Sequence, residues 1–155
     1  MPPIPASHPS ETSLGAAGER VAAQWLTAQG WQVCNRRWRC RWGELDLIAR
    51  HPAGAGMLAF VEVKTRSRGS WDAGGQLAVT PAEQRRIWHA AEAFLAHSPQ
   101  LAELPCRFNL ALVTSRYFRH PPAQPLPDAT ALGPPQLWQS YQLALQAYIP
   151  AAFGA

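Results

Sequence analysis

The sequence predicts an α/β domain in which a mixed sheet of about five strands is flanked by helices. Three observations carry this prediction. The chain has a helical repeat of apolar and small residues near its start, short apolar runs with acidic residues in its first half, and a capping sequence that opens a second helix. The predicted order, α-β-β-β-α-β-β, is typical of a sheet covered by helices.

The first half of the chain contains one predicted helix and three predicted strands. Residues 14–29 place apolar and small side chains at helical spacing, and Gly30 ends this helix. Residues 31–41 and 44–50 predict two strands, and residues 57–66 predict a third. Glycines and a proline lie in the turns between these runs, which favours hairpin connections.

The second half begins with the capping box Thr80-Pro81-Ala82-Glu83, which predicts the start of the second helix. Residues 107–114 predict a fourth strand. A proline-rich loop spans 119–135, residues 137–143 predict a fifth strand, and residues 144–153 form a short closing segment.

Composition limits the classes of function. A length of 155 residues suits one domain, at 14–155, after a proline- and serine-rich tail at 1–13 that we expect to be disordered. The net charge of +4 permits nucleic-acid binding without requiring it. We expect a cytoplasmic protein, because the sequence has neither an apolar membrane span nor a secretory signal pattern. Three cysteines without CxxC spacing argue against disulfides and a cysteine zinc site.

Acidic residues follow the second predicted strand. Regular alternation puts Glu44 and Asp46 on one face of this strand, and it puts Leu45 and Leu47 on the other face. In the third strand the same rule puts Glu62 on the opposite face from its valine neighbours. If the two strands pair as a hairpin, Asp46 and Glu62 can meet.

Neighbouring carboxylates are costly without a cation, and Mg²⁺ prefers carboxylates together with water and phosphate oxygens. Lys64 follows Glu62 on the same face and is the one lysine among 14 basic residues. An ammonium group is a compact charge that can exchange a proton, whereas a guanidinium stays charged. The pattern is typical of a metal-dependent phosphodiesterase. The alternative is an exposed sheet face with a cross-strand Glu–Lys pair.

At these residues the chain resembles the UPF0102/YraN family. The motifs that carry the resemblance are Gly43-Glu44-x-Asp46-Leu47-Ile48, Phe60-Val61-Glu62-Val63-Lys64-Thr65-Arg66 and Gly15-x-x-Gly18-Glu19-x-x-Ala22. The resemblance covers about residues 14–153. That family belongs to the restriction-endonuclease-like superfamily, whose core is written PD-(D/E)xK.

The resemblance implies a restriction-endonuclease-like fold and cleavage of DNA with Mg²⁺ or Mn²⁺. It makes Asp46 the first acid, Glu62 the second and Lys64 the catalytic lysine. Glu44 takes the place before the first acid, where the superfamily often has proline. Glu19 is similar to an acid on the first helix of archaeal Holliday-junction resolvases. The implied metal ligands are therefore Asp46, Glu62 and Glu19.

Asn109 and Arg37 depart from the family pattern. Asn109 stands where the family usually has aspartate, so any role of that acid is lost or was structural. Arg37 stands where the family often has asparagine. Neither position belongs to the predicted core of acids and lysine.

Basic residues flank the predicted site on both sides. Arg39 and Arg41 lead into it, and Arg66 and Arg68 follow Lys64, so all four are candidate phosphate contacts. The alternative is a solvated strand edge over a core that contains Trp38 and Trp42, which flank the first pair.

We therefore expect a DNA endonuclease with no membrane partner. Its preference among branched, flapped and single-stranded DNA is open, as is a homodimeric state. The alternative function is a catalytically inactive module on the same fold that binds nucleic acid or protein. A sugar or nucleotide enzyme is disfavoured, since no glycine-rich phosphate loop is present.

Overall fold

The computed structural model describes residues 13–53, 55–67 and 78–154. Two α-helices lie in this part of the chain: α1 (Leu14–Ala28) and α2 (Pro81–His97), the latter followed by a short 3-10 turn (Pro99–Leu101). The strands are β1 (Gln32–Cys40), β2 (Gly43–His51), β3 (Met57–Ser67), β4 (Cys106–Tyr117), β5 (Gln136–Trp138) and β6 (Tyr141–Phe153).

The six strands form one mixed sheet in the order β1-β2-β3-β4-β6-β5. Only β3 and β4 pair in parallel, and α2 lies in the connection between them. One apolar cluster joins α1 to the sheet and a second joins α2 to it, so a helix covers each face. The predicted α/β class with a mixed sheet is confirmed, with six strands in place of about five.

Side-chain caps fix the starts of both helices. The Thr80 hydroxyl accepts a hydrogen bond from the Glu83 amide at 3.1 Å, which confirms the predicted capping box. The Ser13 hydroxyl accepts one from the Ala16 amide at 3.1 Å. Ser13 therefore belongs to the folded part, and the rest of the predicted tail lies outside the described residues. Neither described helix is long and apolar enough to cross a membrane.

The prediction for the end of the chain was wrong. Residues 137–143 are not one strand, because the chain reverses between Trp138 and Tyr141, which are paired across the turn. Gln139 has a φ of 51°, a left-handed conformation that gives no strong signal in a residue other than glycine or asparagine. The segment predicted to be a short closing piece is most of β6, a long strand paired with β4.

The predicted alternation along β2 was also wrong at one point. Leu45 packs in the cluster beneath α2, whereas Leu47 packs in the cluster beneath α1. The break falls at Asp46, where backbone pairing between β2 and β3 has ended at the Leu47–Val61 pair. The residues of β2 before Leu47 pair with β1 alone. Pairing with β3 therefore does not fix which face their side chains occupy.

A close contact between α1 and β3 sets the position of Glu19. Gly18 lies against Thr65, and a Cβ atom built on Gly18 would be 2.0 Å from the Thr65 hydroxyl oxygen. The Thr65 hydroxyl is buried and has no hydrogen-bond partner among the described residues. The glycine therefore lets the helix approach the strand that carries Glu62 and Lys64.

Replacing Gly18 with alanine is expected to destabilise the fold by about 1–3 kcal/mol, because the overpacked contact must open. This loss outweighs the gain of roughly 1 kcal/mol that alanine brings to a helix interior. Chemical denaturation measures the change. Gly15→Ala is the matched control, since nothing lies within 4 Å of a Cβ atom there. Equal stability of the two variants would contradict this account of Gly18.

Candidate active site

The Asp46 carboxylate lies where β2 and β3 separate. Its Oδ2 atom accepts a hydrogen bond from the Val63 amide at 2.9 Å. The side chain thus satisfies a backbone donor of β3 beyond the last paired residues of the two strands. This bond holds the carboxylate between the strands, within reach of acids from several elements.

Four acidic side chains gather around this point. The carboxyl groups of Asp46 and Glu62 lie close enough for each to shift the pKa of the other. Carboxylate oxygens of Glu19, Glu44 and Asp46 all lie within 4.8 Å of one another. Glu62 is not part of that group of three. The structure therefore brings together every acid singled out from the sequence, with Asp46 common to both groupings.

Burial and mutual repulsion shift the titration of these acids. Burial, and then the charge of Glu62, raise the pKa of Asp46 to about 8. Burial and the charge of Asp46 raise the pKa of Glu19 to about 7, against the opposing effect of Arg37. Burial also raises the pKa of Glu62, although Lys64 opposes it. Each shift reports a buried carboxylate whose cost of ionisation is not fully offset by neighbouring positive charges.

Without a metal ion the fold is expected to lose stability as pH rises from about 4 to about 8. Below this window folded and unfolded chains both hold the protons of Asp46 and Glu19. Within it the unfolded chain ionises first, because the folded pKa values are about 8 and about 7 against ordinary values of 3.8 and 4.5. Above it the penalty is constant, on the order of a few kcal/mol.

Thermal melts in EDTA across this pH range measure the loss. Asp46→Asn should flatten the profile, since the amide oxygen can still accept from the Val63 amide and carries no charge. A wild-type melting temperature that rises from pH 5 to pH 8 in EDTA would contradict the assigned burial of these acids.

Lys64 lies between two acids from different elements. Its Nζ atom is 2.7 Å from Glu83 Oε2 and 3.6 Å from Glu62 Oε1. Only 14% of the lysine side chain is exposed. The ammonium group is therefore held in a fixed place beside the carboxylate pair of Asp46 and Glu62.

Sequence reasoning missed Glu83 as a site residue because its place in the capping box already explained it. The same side chain serves both purposes, as its Oε1 atom lies 3.4 Å from the Thr80 hydroxyl while Oε2 binds Lys64. Burial alone would raise the pKa of Glu83, but the hydrogen bond and charge of Lys64 outweigh it, and the pKa is lowered. Glu83 is thus an ionised partner of Lys64.

Arg37 is a second residue that the sequence did not assign to the site. Its Nε atom donates to Glu19 Oε2 at 2.8 Å. The backbone of Arg37 has a φ of 52°, a left-handed conformation. Its positive charge partly offsets the repulsion between Glu19 and Asp46.

The predicted phosphate contacts have different surroundings. Arg39 donates to Glu44 Oε2 at 2.9 Å, and 77% of its side chain is exposed. The Arg41 guanidinium lies 4.8 Å from the centre of the Trp42 ring. Arg66 donates to the Thr65 carbonyl at 2.9 Å. Arg68 lies outside the described residues. Contact with phosphate stays a prediction for all four.

The expectation that both tryptophans of β1 and its turn are core residues holds for one of them. Trp38 packs edge-on against Phe94 in the cluster beneath α2. Trp42 is 39% exposed and stacks on His89 of α2, with ring centres 4.5 Å apart. Trp42 lies in the turn between β1 and β2.

Asn109 has a structural role. Its amide nitrogen donates to the Tyr148 hydroxyl at 2.8 Å, and its amide oxygen accepts from the Ala151 amide at 2.8 Å. Ala151 has a φ of 50°, so Asn109 supports an irregular turn of backbone near the end of β6. The residue makes no contact with the acids around Asp46 among the hydrogen bonds of the described chain.

The carboxylate cluster fits a hard divalent cation. All three closely spaced ligand atoms, from Glu19, Glu44 and Asp46, are carboxylate oxygens, which Mg²⁺ and Mn²⁺ prefer. Glu44 joins this group although the resemblance implied Glu62 in its place. Glu62 keeps its contact with Asp46, so a ligand role for it stays a prediction.

Known proteins match this chain over most of its length. The family described as "Uncharacterised protein family UPF0102" matches residues 18–113. A UPF0102 protein of Synechocystis is 43% identical over 154 residues, covering 92% of this chain and 99% of the relative. One of Trichodesmium erythraeum is 41% identical over 90% of this chain and 87% of its own length. One of Synechococcus is 53% identical over 75% of this chain and 84% of its own length.

Proposed function

This chain belongs to the UPF0102 family, and from the acids gathered at Asp46 we propose that it is a metal-dependent nuclease that hydrolyses DNA. The observation that carries the proposal is the contact of Asp46 with acids on two sides, beside a fixed ammonium group. Such a cluster is costly in a folded protein unless a cation compensates it. Mg²⁺ or Mn²⁺ would supply that cation, together with Lewis-acid chemistry at a phosphoryl oxygen.

Asp46, Glu19 and Glu44 are the residues that would hold the ion, and Glu62 would join them through its contact with Asp46. Arg37 holds Glu19 by its ion pair, and the Val63 amide holds Asp46. Two of these ligands are thus oriented by partners of their own, which restricts their motion when an ion binds.

Lys64 would act on the scissile phosphate as a fixed positive charge. Its ammonium group already lies between two carboxylates, which position it. Negative charge grows on phosphoryl oxygens during attack by water, and a positioned cation stabilises that charge. Glu83 is a positioning residue in this scheme, because it contacts Lys64 and belongs to the capped start of α2.

The experiment that tests the function is a panel of linear, flapped, four-way and single-stranded DNA, incubated with Mg²⁺, Mn²⁺ or EDTA. We expect cleavage of at least one form that requires the metal. Binding to DNA without cleavage of any form would favour the inactive binding module on the same fold.

A further inference from the structure

A cleft of about 340 Å³ lies between α2 and the end of β6, outside the cluster of acids. Trp88 and Arg85 of α2 line one side of it, and Phe153 lines another. Pro81, in the first turn of α2, also lines the cleft. The cleft therefore adjoins the helix turn that positions Lys64.

Trp88 offers an uncovered aromatic surface at this cleft. It is 38% exposed, and its contact with His89 is edge-on, with ring centres 5.9 Å apart. No ring stacks face to face on Trp88 within the part of the chain that the structure describes. His89 is itself braced by stacking on Trp42. Neighbouring rings thus hold Trp88 in place, and its ring face stays open to a planar ligand.

One arginine lines the same cleft, and two more contact other residues of this region. Arg85 lines it, and no ion-pair partner of Arg85 is found among the described residues. Arg86 packs against the turn at Gly43, and Arg41 lies over Trp42. Glu92, which lies 3.3 Å from His89, is the acid next to these rings. A ligand that combines a planar ring with an anion complements this surface, whereas a purely apolar peptide does not.

We propose that this cleft binds an unpaired nucleobase of the DNA substrate, stacked on Trp88, with an adjacent phosphate held by Arg85. The inference rests on the proposed nuclease function and adds that the DNA substrate has a single-stranded segment beside the scissile bond. Stacking on an aromatic side chain tolerates any base, since every base has a π-face. A base paired within a duplex does not expose that face.

The test compares two short oligonucleotides of equal length and charge: oligothymidylate, and the same backbone with abasic residues. Fluorescence anisotropy in EDTA measures affinity without cleavage. We expect wild type to prefer the base-bearing strand on the order of 10-fold. Trp88→Ala should lose that preference and keep its affinity for the abasic strand, while Trp88→Phe should retain most of the preference. Tyr117→Ala, which removes an aromatic residue that is 64% exposed at the end of β4, should leave it unchanged.

Equal affinity of wild type for the two strands, or no binding of either, would overturn the inference. A preference that survives in Trp88→Ala would overturn it as well. The proposed nuclease function fails separately, when no DNA form is cut with metal. If no DNA form is cut but the base preference depends on Trp88, base binding at the cleft is still supported. If DNA is cut but no base preference is found, the nuclease function is supported without base binding at the cleft.

Discussion

Replacing Lys64 with alanine is expected to slow DNA cleavage by at least about 100-fold, because the charge that stabilises the phosphorane is lost. DNA affinity should stay nearly unchanged. The chain keeps thirteen arginines (14 basic residues less Lys64) to share the phosphate contacts. Single-turnover cleavage and gel-shift binding at one salt concentration separate the two effects.

Lys64→Arg is expected to be nearly as inactive. The lysine side chain is only 14% exposed, and the bulkier guanidinium does not fit the distances that Nζ keeps to Glu62 and Glu83. A milder loss is expected for Glu83→Gln, since the amide can still hydrogen-bond the ammonium group. Cleavage by Lys64→Ala at the wild-type rate would show that the lysine has no part in the reaction.

Replacing Asp46 with asparagine is expected to weaken Mn²⁺ binding by about 100-fold or more. Asp46 is the one acid that lies next to both Glu62 and the pair of Glu19 and Glu44. Its loss therefore removes a ligand whether the ion is held with Glu62 or with Glu19 and Glu44. Isothermal titration calorimetry at pH 7 to 8 measures the affinity. Proton release should accompany binding, because the pKa values of Asp46 and Glu19 are raised to about 8 and about 7.

Glu103→Gln is the matched control for this measurement. Glu103 is exposed in the turn before β4 and lies outside the acidic cluster, so its loss changes net charge equally without touching the site. Unchanged Mn²⁺ affinity in Asp46→Asn would mean that the ion binds elsewhere.

Local sequence signals predicted much of the fold. The capping box at Thr80 set the start of α2, and alternation in β3 put Glu62 and Lys64 on the face toward Glu83. These features depend on residues close together in the chain, which is why a single sequence reveals them. The β5–β6 turn was missed because its left-handed residue is Gln139, where glycine or asparagine would have given the signal.

The residue types of the candidate site could be predicted from the sequence, whereas several contacts that position these residues could not. Asp46 disrupts the alternation of β2 because its side chain binds the Val63 amide, a contact between two strands that no local pattern specifies. The ion pair of Arg37 with Glu19 joins β1 to α1 and depends on a left-handed backbone at the arginine. Glu83 was not assigned to the site because its capping function already accounted for it. Each of these contacts arises only when the sheet brings distant segments together.

The most direct measurement is single-turnover cleavage of the DNA form that wild type cuts fastest, with wild type, Asp46→Asn and Glu103→Gln purified in the same way. With Mn²⁺, wild type and Glu103→Gln are expected to cut at similar rates, and Asp46→Asn at least about 100-fold more slowly. EDTA should stop all cleavage. Equal rates for Asp46→Asn and wild type, or no cleavage of any DNA form by wild type, would contradict the proposed metal-dependent nuclease centred on Asp46.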